Sequence, residues 1–242
     1  MPSSANSVNL ISTNMIGDKK RLENLLWVRD RLEDHFGAIT KDATRNPLDT
    51  LVQTVLSQNT NDNNRDKAEE SLWDTFDDYE ELADASEEKI AEAIKTAGLQ
   101  HQKAKTIKGI LTGLREMGGL DLDYLDELDA KETWEKLMEF DGVGKKTAAV
   151  VSLFALDKPI FPVDTHVRRV TSRLELVNRG EKHHETLTEL VPPEDMYQLH
   201  LHLIRLGRET CKSRKPRCRK CILMERCPTG REKLESLEDL EY

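Results

Sequence analysis

Phe140–Val151 reads FDGVGKKTAAVV: two glycines around a valine, two lysines, then a run of small and apolar residues of helical character. A helix N-terminus carries partial positive charge, so anions are welcome there and cations are placed badly. Yet Lys145 and Lys146 stand at that spot in an acidic chain. Upstream, Asp129 followed by Glu132 has the spacing of a capping box with Asp in the Ser/Thr place, and opens a helix reaching about Glu139. Helix, Gly142-Val143-Gly144, helix is the pattern of a helix-hairpin-helix motif. Glycines let a backbone turn tightly and approach a ligand closely. The N–H groups freed beside a helix N-terminus make a phosphate-binding nest.

Outward from the hairpin the pattern is helical throughout. Leu48, Leu51, Val52, Val55 and Leu56 repeat as one face of an amphipathic helix, and Leu22, Leu25, Leu26 and Leu32 do so before them. Ser86 is placed to cap a helix carrying Ile90 and Ile94 and closed by Gly98; residues 101–117 form another, ended by Gly118-Gly119. A further helix begins at Asp164–Thr165. Strand signals are nearly absent, which predicts an all-α protein without repeats or low-complexity linkers.

Composition excludes some classes. No apolar run approaches the ~20 residues of a spanning helix, and the first residues lack the order of a secretory signal. An intracellular, cytoplasmic and nucleoid-associated chain is expected, with residues 1–16 as a mobile polar arm and 229–242 as an acidic tail. The formal net charge of -9 argues against a generic polyanion binder. However, residues 205–233 hold eleven Lys or Arg against three acids, about +8, so the remainder stands at about -17. Local fields govern phosphate binding more than the sum does.

All four cysteines fall within that basic segment, as Cys211-x6-Cys218-x2-Cys221-x5-Cys227. Intracellular chains rarely keep structural disulfides, which favours metal ligation over two bridges. Zinc sites usually pair cysteines as two short knuckles. One short pair with two outlying ligands better suits wrapping a cubane iron–sulfur cluster, which would order a loop that presents Lys212, Arg214 and Lys215 to phosphates.

Two residues could carry chemistry. Lys146 is either a phosphate contact or a nucleophile: the helix N-terminus and Lys145 both disfavour its ammonium form, and a neutral amine can form a Schiff base. Asp164, in FPVDTH, is a helix N-cap in the bland reading. A capped carboxylate also stays ionised and aimed, able to stabilise cationic character at a sugar carbon.

GVGKKTA, then VDTH eighteen residues after the lysine, then the four-cysteine loop resembles the endonuclease III family of DNA glycosylases. LVQTVLSQNTNDNNRDKA and GLQHQKAKTIKGI extend the likeness to roughly residues 20–228. The resemblance implies two α-helical domains flanking a DNA-binding cleft. One is a six-helix domain (43–155) ending in the hairpin, about 131–155. The other is discontinuous (17–42 plus 156–228) and carries a [4Fe–4S] cluster on Cys211, Cys218, Cys221 and Cys227. It implies Lys146 as nucleophile and Asp164 as its carboxylate partner in a glycosylase with lyase activity. The implied partner of the monomer is double-stranded DNA containing damaged bases or abasic sites, with oxidised or ring-saturated pyrimidines flipped out for attack. Gly142, Val143, Gly144, Lys145 and His166 would contact DNA, and Gln58 or Asn59 would fill the vacated space.

The sequence departs from the family at three places: Phe140-Asp141 replaces Leu-Pro, Asn59 aligns with the inserted glutamine, and Leu206 replaces a histidine. Mismatch-specific branches fit less well, having Glu where this chain has Gln53 or tyrosine at the lysine position. Glycosylases for oxidised guanine commonly lack the cysteine loop. A non-catalytic DNA-binding module is the alternative from another class.

Overall fold

The computed structural model describes residues 5–41 and 46–238, with side chains over 17–41 and 46–236. Among the described residues there are helices and turns and no strand. Twelve α-helices follow in chain order: α1 (Ala5–Phe36), α2 (Pro47–Leu56), α3 (Asp62–Thr75), α4 (Tyr79–Asp84), α5 (Glu87–Ala93), α6 (Gln100–Met117), α7 (Ala130–Leu137), α8 (Lys145–Phe154), α9 (Thr165–Arg173), α10 (His183–Leu190), α11 (Met196–Glu209) and α12 (Pro228–Glu238). They divide into two compact units, Asp42–Pro162 and Met1–Lys41 with Val163–Tyr242.

The Asp42–Pro162 unit is built around α2. Its start is fixed by Asn46, whose side chain accepts the N–H of Leu48 at 2.8 Å and of Asp49 at 3.3 Å, with Pro47 in the first helical position. Leu51, Val55 and Leu56 are fully buried with Ala68 and Leu72 of α3, Ile107, Ile110 and Leu111 of α6, and Ala148 and Val151 of α8. Burial of each large aliphatic side chain contributes about 1.5–3 kcal/mol relative to exposure. Among its described residues the unit holds seven α-helices where six were expected, because Asp78 and Ser86 each cap a separate short helix. Ile160 still packs into this core, so the chain leaves the unit after Pro162, later than the expected boundary at 155/156. Lysines close several element ends: Lys108 donates to the carbonyl of Ala85 at 2.8 Å, and Lys158 to Asp126 at 2.9 Å and Leu128 at 2.6 Å.

In the other unit α1 packs on α11. Arg21 reaches Glu181 at 2.8 Å and Arg29 reaches Asp195 at 2.7 Å, joining the N-terminal helix to the C-terminal part of the chain. Leu206, one of the three departures from the family pattern, is buried in this unit. Residues 5–16, within the expected arm, are the first turns of α1, while 1–4 lie outside the described residues. The expected acidic tail is likewise helical through Glu238, because Pro228 supplies a helix start; residues 239–242 lie outside the described residues.

Candidate active site

The hairpin forms as its glycines require. The capping box is complete: Asp129 accepts the N–H of Glu132 at 2.8 Å, and Glu132 accepts that of Asp129 at 3.1 Å. α7 ends at Leu137, two residues before the expected limit, because Met138 and Glu139 already turn. Gly142 has φ +85°, and a Cβ there would stand 2.9 Å from Thr106 Cγ2; both backbone and packing demand glycine. Around Gly144 a Cβ would meet nothing within 4 Å. Its smallness therefore serves nothing inside the protein, and leaves the backbone open to close approach. Gly144 is also the N-cap of α8 and has no side chain to spend on the first-turn amides. Phe140 packs on the core, 3.4 Å from where a Cβ on Gly113 would stand, which accounts for an aromatic at that position. Asp141 is exposed; nothing in the structure explains its choice.

Lys145 and Lys146 are the first two residues of α8; Lys145 is exposed and Lys146 half-buried. Trp134 of α7 fastens this turn. Its indole donates to the Lys145 carbonyl at 2.9 Å, and the Lys145 ammonium lies 5.4 Å from the ring centroid. Gln58 faces the same hairpin, its amide 3.5 Å from both the Gly142 carbonyl and the Thr147 hydroxyl, the outer limit of a hydrogen bond. Asn59 is exposed and left-handed at φ +52°.

Asp164 belongs to the other unit. It caps α9, its Oδ1 accepting the Val167 N–H at 2.7 Å. Next to it, His166 Nδ1 lies 3.0 Å from Arg169 Nη2. A guanidinium can only donate, so Nδ1 is the accepting nitrogen. Arg169 also donates to the carbonyls of Gly207 at 2.9 Å and Cys211 at 2.8 Å. Gly207 is needed there: a Cβ would stand 2.8 Å from His166 Cβ.

One turn further along α9, Arg173 donates to Cys211 Sγ at 3.2 Å and to the Lys212 carbonyl at 2.8 Å. The Thr210 carbonyl accepts from both Lys212 N at 2.9 Å and Arg217 N at 3.0 Å. These bonds pinch the ends of a loop on which Lys212, Arg214 and Lys215 are exposed. Behind it, all four cysteines and Arg173 line a cavity of about 330 Å³, counting its open mouth. Gly230 N donates to Cys227 Sγ at 3.3 Å from the first turn of α12. Burial and the neighbouring thiols push the Cys221 thiol up to about 11, and Cys227 upward also.

Sequence reasoning thus placed Gln58, Gly142, Val143, Gly144, Lys145 and Lys146 in one unit, and Asp164, His166 and the cysteine loop in the other. It missed Trp134, Arg169 and Arg173. The two arginines had a signal, four residues apart in HVRRVTSR on the face that follows Asp164.

A family model for HhH-GPD superfamily base excision DNA repair proteins matches residues 52–193, a span that contains both the hairpin and Asp164. Endonuclease III of Sulfolobus acidocaldarius is 37% identical over 191 residues, covering 76% of this chain and 82% of the relative. The chain belongs to the endonuclease III family of that superfamily. Among solved structures, a non-covalent endonuclease III–DNA complex matches with a TM-score of 0.74 at 28% identity, covering 88% of this chain and 98% of that one. A trapped endonuclease III–DNA covalent intermediate matches with a TM-score of 0.73, also at 28% identity and with the same coverage. As an endonuclease III family member the protein is a base excision repair enzyme, a DNA glycosylase and lyase, and it binds DNA.

The cysteine loop can be tested against the cluster expected of an endonuclease III family member. Among the described residues no group of three or more His, Cys, Asp or Glu is placed to hold a single metal ion. The four thiols instead surround a shared cavity, with Arg173 and the Gly230 N–H donating to two of the sulfurs. Such donors suit thiolates bound to iron. The residues fit the group. No described helix is long and apolar enough to cross a membrane.

Proposed function

We propose that this enzyme removes oxidised or ring-saturated pyrimidines from duplex DNA with Lys146 as nucleophile, and then cleaves the strand by β-elimination. The observation that carries the reading is the position of Lys146 in the first turn of α8, after a hairpin with open space at Gly144. Phosphates held by the hairpin amides would bring a sugar to that lysine.

Lys146 Nζ as a neutral amine attacks C1′, and the C1′–N bond breaks with its electrons going to the base, which leaves protonated. Opening of the sugar gives a protonated Schiff base. Loss of a C2′ proton then expels the 3′ phosphate, and water hydrolyses the imine to restore the lysine. Asp164 would stabilise the positive charge that develops at the sugar. Its Oδ1 is held by the Val167 N–H, so the carboxylate is fixed before substrate arrives. Gln58 or Asn59 would occupy the space left by the extruded nucleotide, and His166, Lys212, Arg214 and Lys215 would contact the backbone.

Cys211, Cys218, Cys221 and Cys227 would hold a [4Fe–4S] cluster. When bound it supplies a fixed core for the basic loop and takes no part in base removal. The protein would act as a monomer.

Borohydride trapping tests the reading. Wild-type protein on a thymine-glycol or abasic duplex is expected to give a covalent adduct that Lys146→Gln abolishes. Absence of adduct with the wild type overturns it. Iron and labile sulfide in the purified protein test the cluster, and zinc in their place overturns that part alone.

A further inference from the structure

Lys103 is fully buried in the Asp42–Pro162 unit, yet nothing in the proposed chemistry uses it. Its ammonium donates to the Leu56 carbonyl at 2.8 Å and the Ala97 carbonyl at 2.9 Å, while its own N–H donates to the Leu99 carbonyl at 3.0 Å. Burial lowers its pKa, which is the cost of holding a cation in the core.

Both ammonium-bound carbonyls end an element. Leu56 closes α2, and the Gln53 and Val55 carbonyls already serve Ser57 and Gln58; the Leu56 oxygen is a buried acceptor that needs another partner. Ala97 closes a short 3-10 turn, Lys95–Ala97. Past each carbonyl lies an exposed, non-glycine residue in the left-handed region: Asn59 at φ +52° and Leu99 at φ +50°. Such residues persist only where their surroundings over-determine them. Here one side chain grips the root of both turns.

We propose that Lys103 is a positioning residue for base extrusion, which fixes the Gln58–Asn59 turn and couples it rigidly to the Gly98–Leu99 turn. This rests on the reading above, in which Gln58 or Asn59 fills the vacated space. A side chain that must stay between bases needs a root that does not yield, and a doubly bonded buried ammonium provides one.

The test compares wild type with Lys103→Met, which keeps the aliphatic stem and removes the donors. Three quantities are read on verified folded protein: single-turnover excision of thymine glycol, the fluorescence rise of 2-aminopurine beside the lesion, and borohydride trapping on a preformed abasic site. The variant is expected to lose tenfold or more in excision and most of the fluorescence rise. Trapping on the abasic site, where no base has to be unstacked, should stay within threefold. Adding Gln58→Ala and Asn59→Ala should cost Lys103→Met little further. Wild-type excision in the variant, an equal fall in excision and trapping, or additive losses would each overturn the proposal. Should Lys103→Met not fold, Lys103→Gln is read by the same criteria. A wild type that traps on no substrate defeats the functional reading itself; failure of the variant pattern beside an active wild type defeats only this inference.

Discussion

Trp134 Nε1 donates to the carbonyl of Lys145 at 2.9 Å while the Lys145 ammonium lies 5.4 Å from the same ring. One aromatic side chain on α7 thus holds backbone and side chain of the residue that opens α8. Trp134→Phe keeps a ring under the cation and deletes the N–H. It should cost about 1 kcal/mol of stability, the ordinary net value of one hydrogen bond, and weaken duplex affinity severalfold by loosening the lysine turn. Thermal denaturation and anisotropy titration with an undamaged duplex read the two effects. Unchanged affinity would separate Trp134 from DNA binding.

The two hairpin glycines should respond differently to alanine. Gly142→Ala meets Thr106 and a φ of +85°, so a loss of about 1–3 kcal/mol is expected from the backbone conformation alone. Gly144→Ala meets nothing within 4 Å and should lose about 1 kcal/mol or less, because Ala is the poorer N-cap for α8, yet reduce duplex affinity because a methyl stands where a phosphate would approach. Denaturant titration and binding at one fixed salt concentration check the pair. If Gly144→Ala binds as wild type, the hairpin does not approach DNA at that residue.

The helices that the sequence announced had either an apolar repeat, as α1 and α2 do, or explicit punctuation: Asp129 before α7 with Glu132 in its first turn, Ser86 before α5, Gly118 after α6 and Asp164 before α9. The candidate site was legible for the same reason, since glycine, cysteine and a capping aspartate have few structural uses and their spacing is local. Trp134 and Lys103 were not legible. Each acts on a backbone carbonyl brought near by tertiary folding, such as Leu56 for Lys103, and no local pattern says which carbonyl an indole or a cation will find. The unit boundary was misplaced by the same cause, because the packing of Ile160 is decided by the core and not by its neighbours in sequence.

Asp164 can be separated into a cap and a carboxylate. Asp164→Asn keeps an oxygen for the Val167 N–H and should retain stability, because Asn caps about as well as Asp. Asp164→Ala removes the acceptor and should lose about 0.5–2 kcal/mol. Both should lose most turnover while binding abasic duplex. Thermal melts with single-turnover excision decide: full activity in Asp164→Asn would leave the residue a helix cap and nothing more.

Acid should weaken the Val163–Tyr242 part of the protein through His202. This imidazole is fully buried, its Nε2 lies 3.0 Å from the Gly37 carbonyl, and its Nδ1 has no hydrogen-bond partner among the described residues. Nε2 therefore carries the proton, and protonating Nδ1 would bury an unpaired N–H. Burial, with Arg205 adding to it, holds the pKa below 6.5 against the opposing pull of Glu33 and the Gly37 carbonyl. His183 is lowered too, by burial and by Arg168. Between the lowered folded value and 6.5 the unfolded chain binds more protons, so stability rises with pH there. It should be constant above that window, fall as pH drops through 6.5, and level off below the folded value. His202→Gln keeps a donor for Gly37 and removes the titration. Urea unfolding from pH 5 to 8 should show a shallower acid loss in the variant, with the remainder assigned to His183. Identical slopes for the two proteins would mean that His202 does not titrate differently on folding.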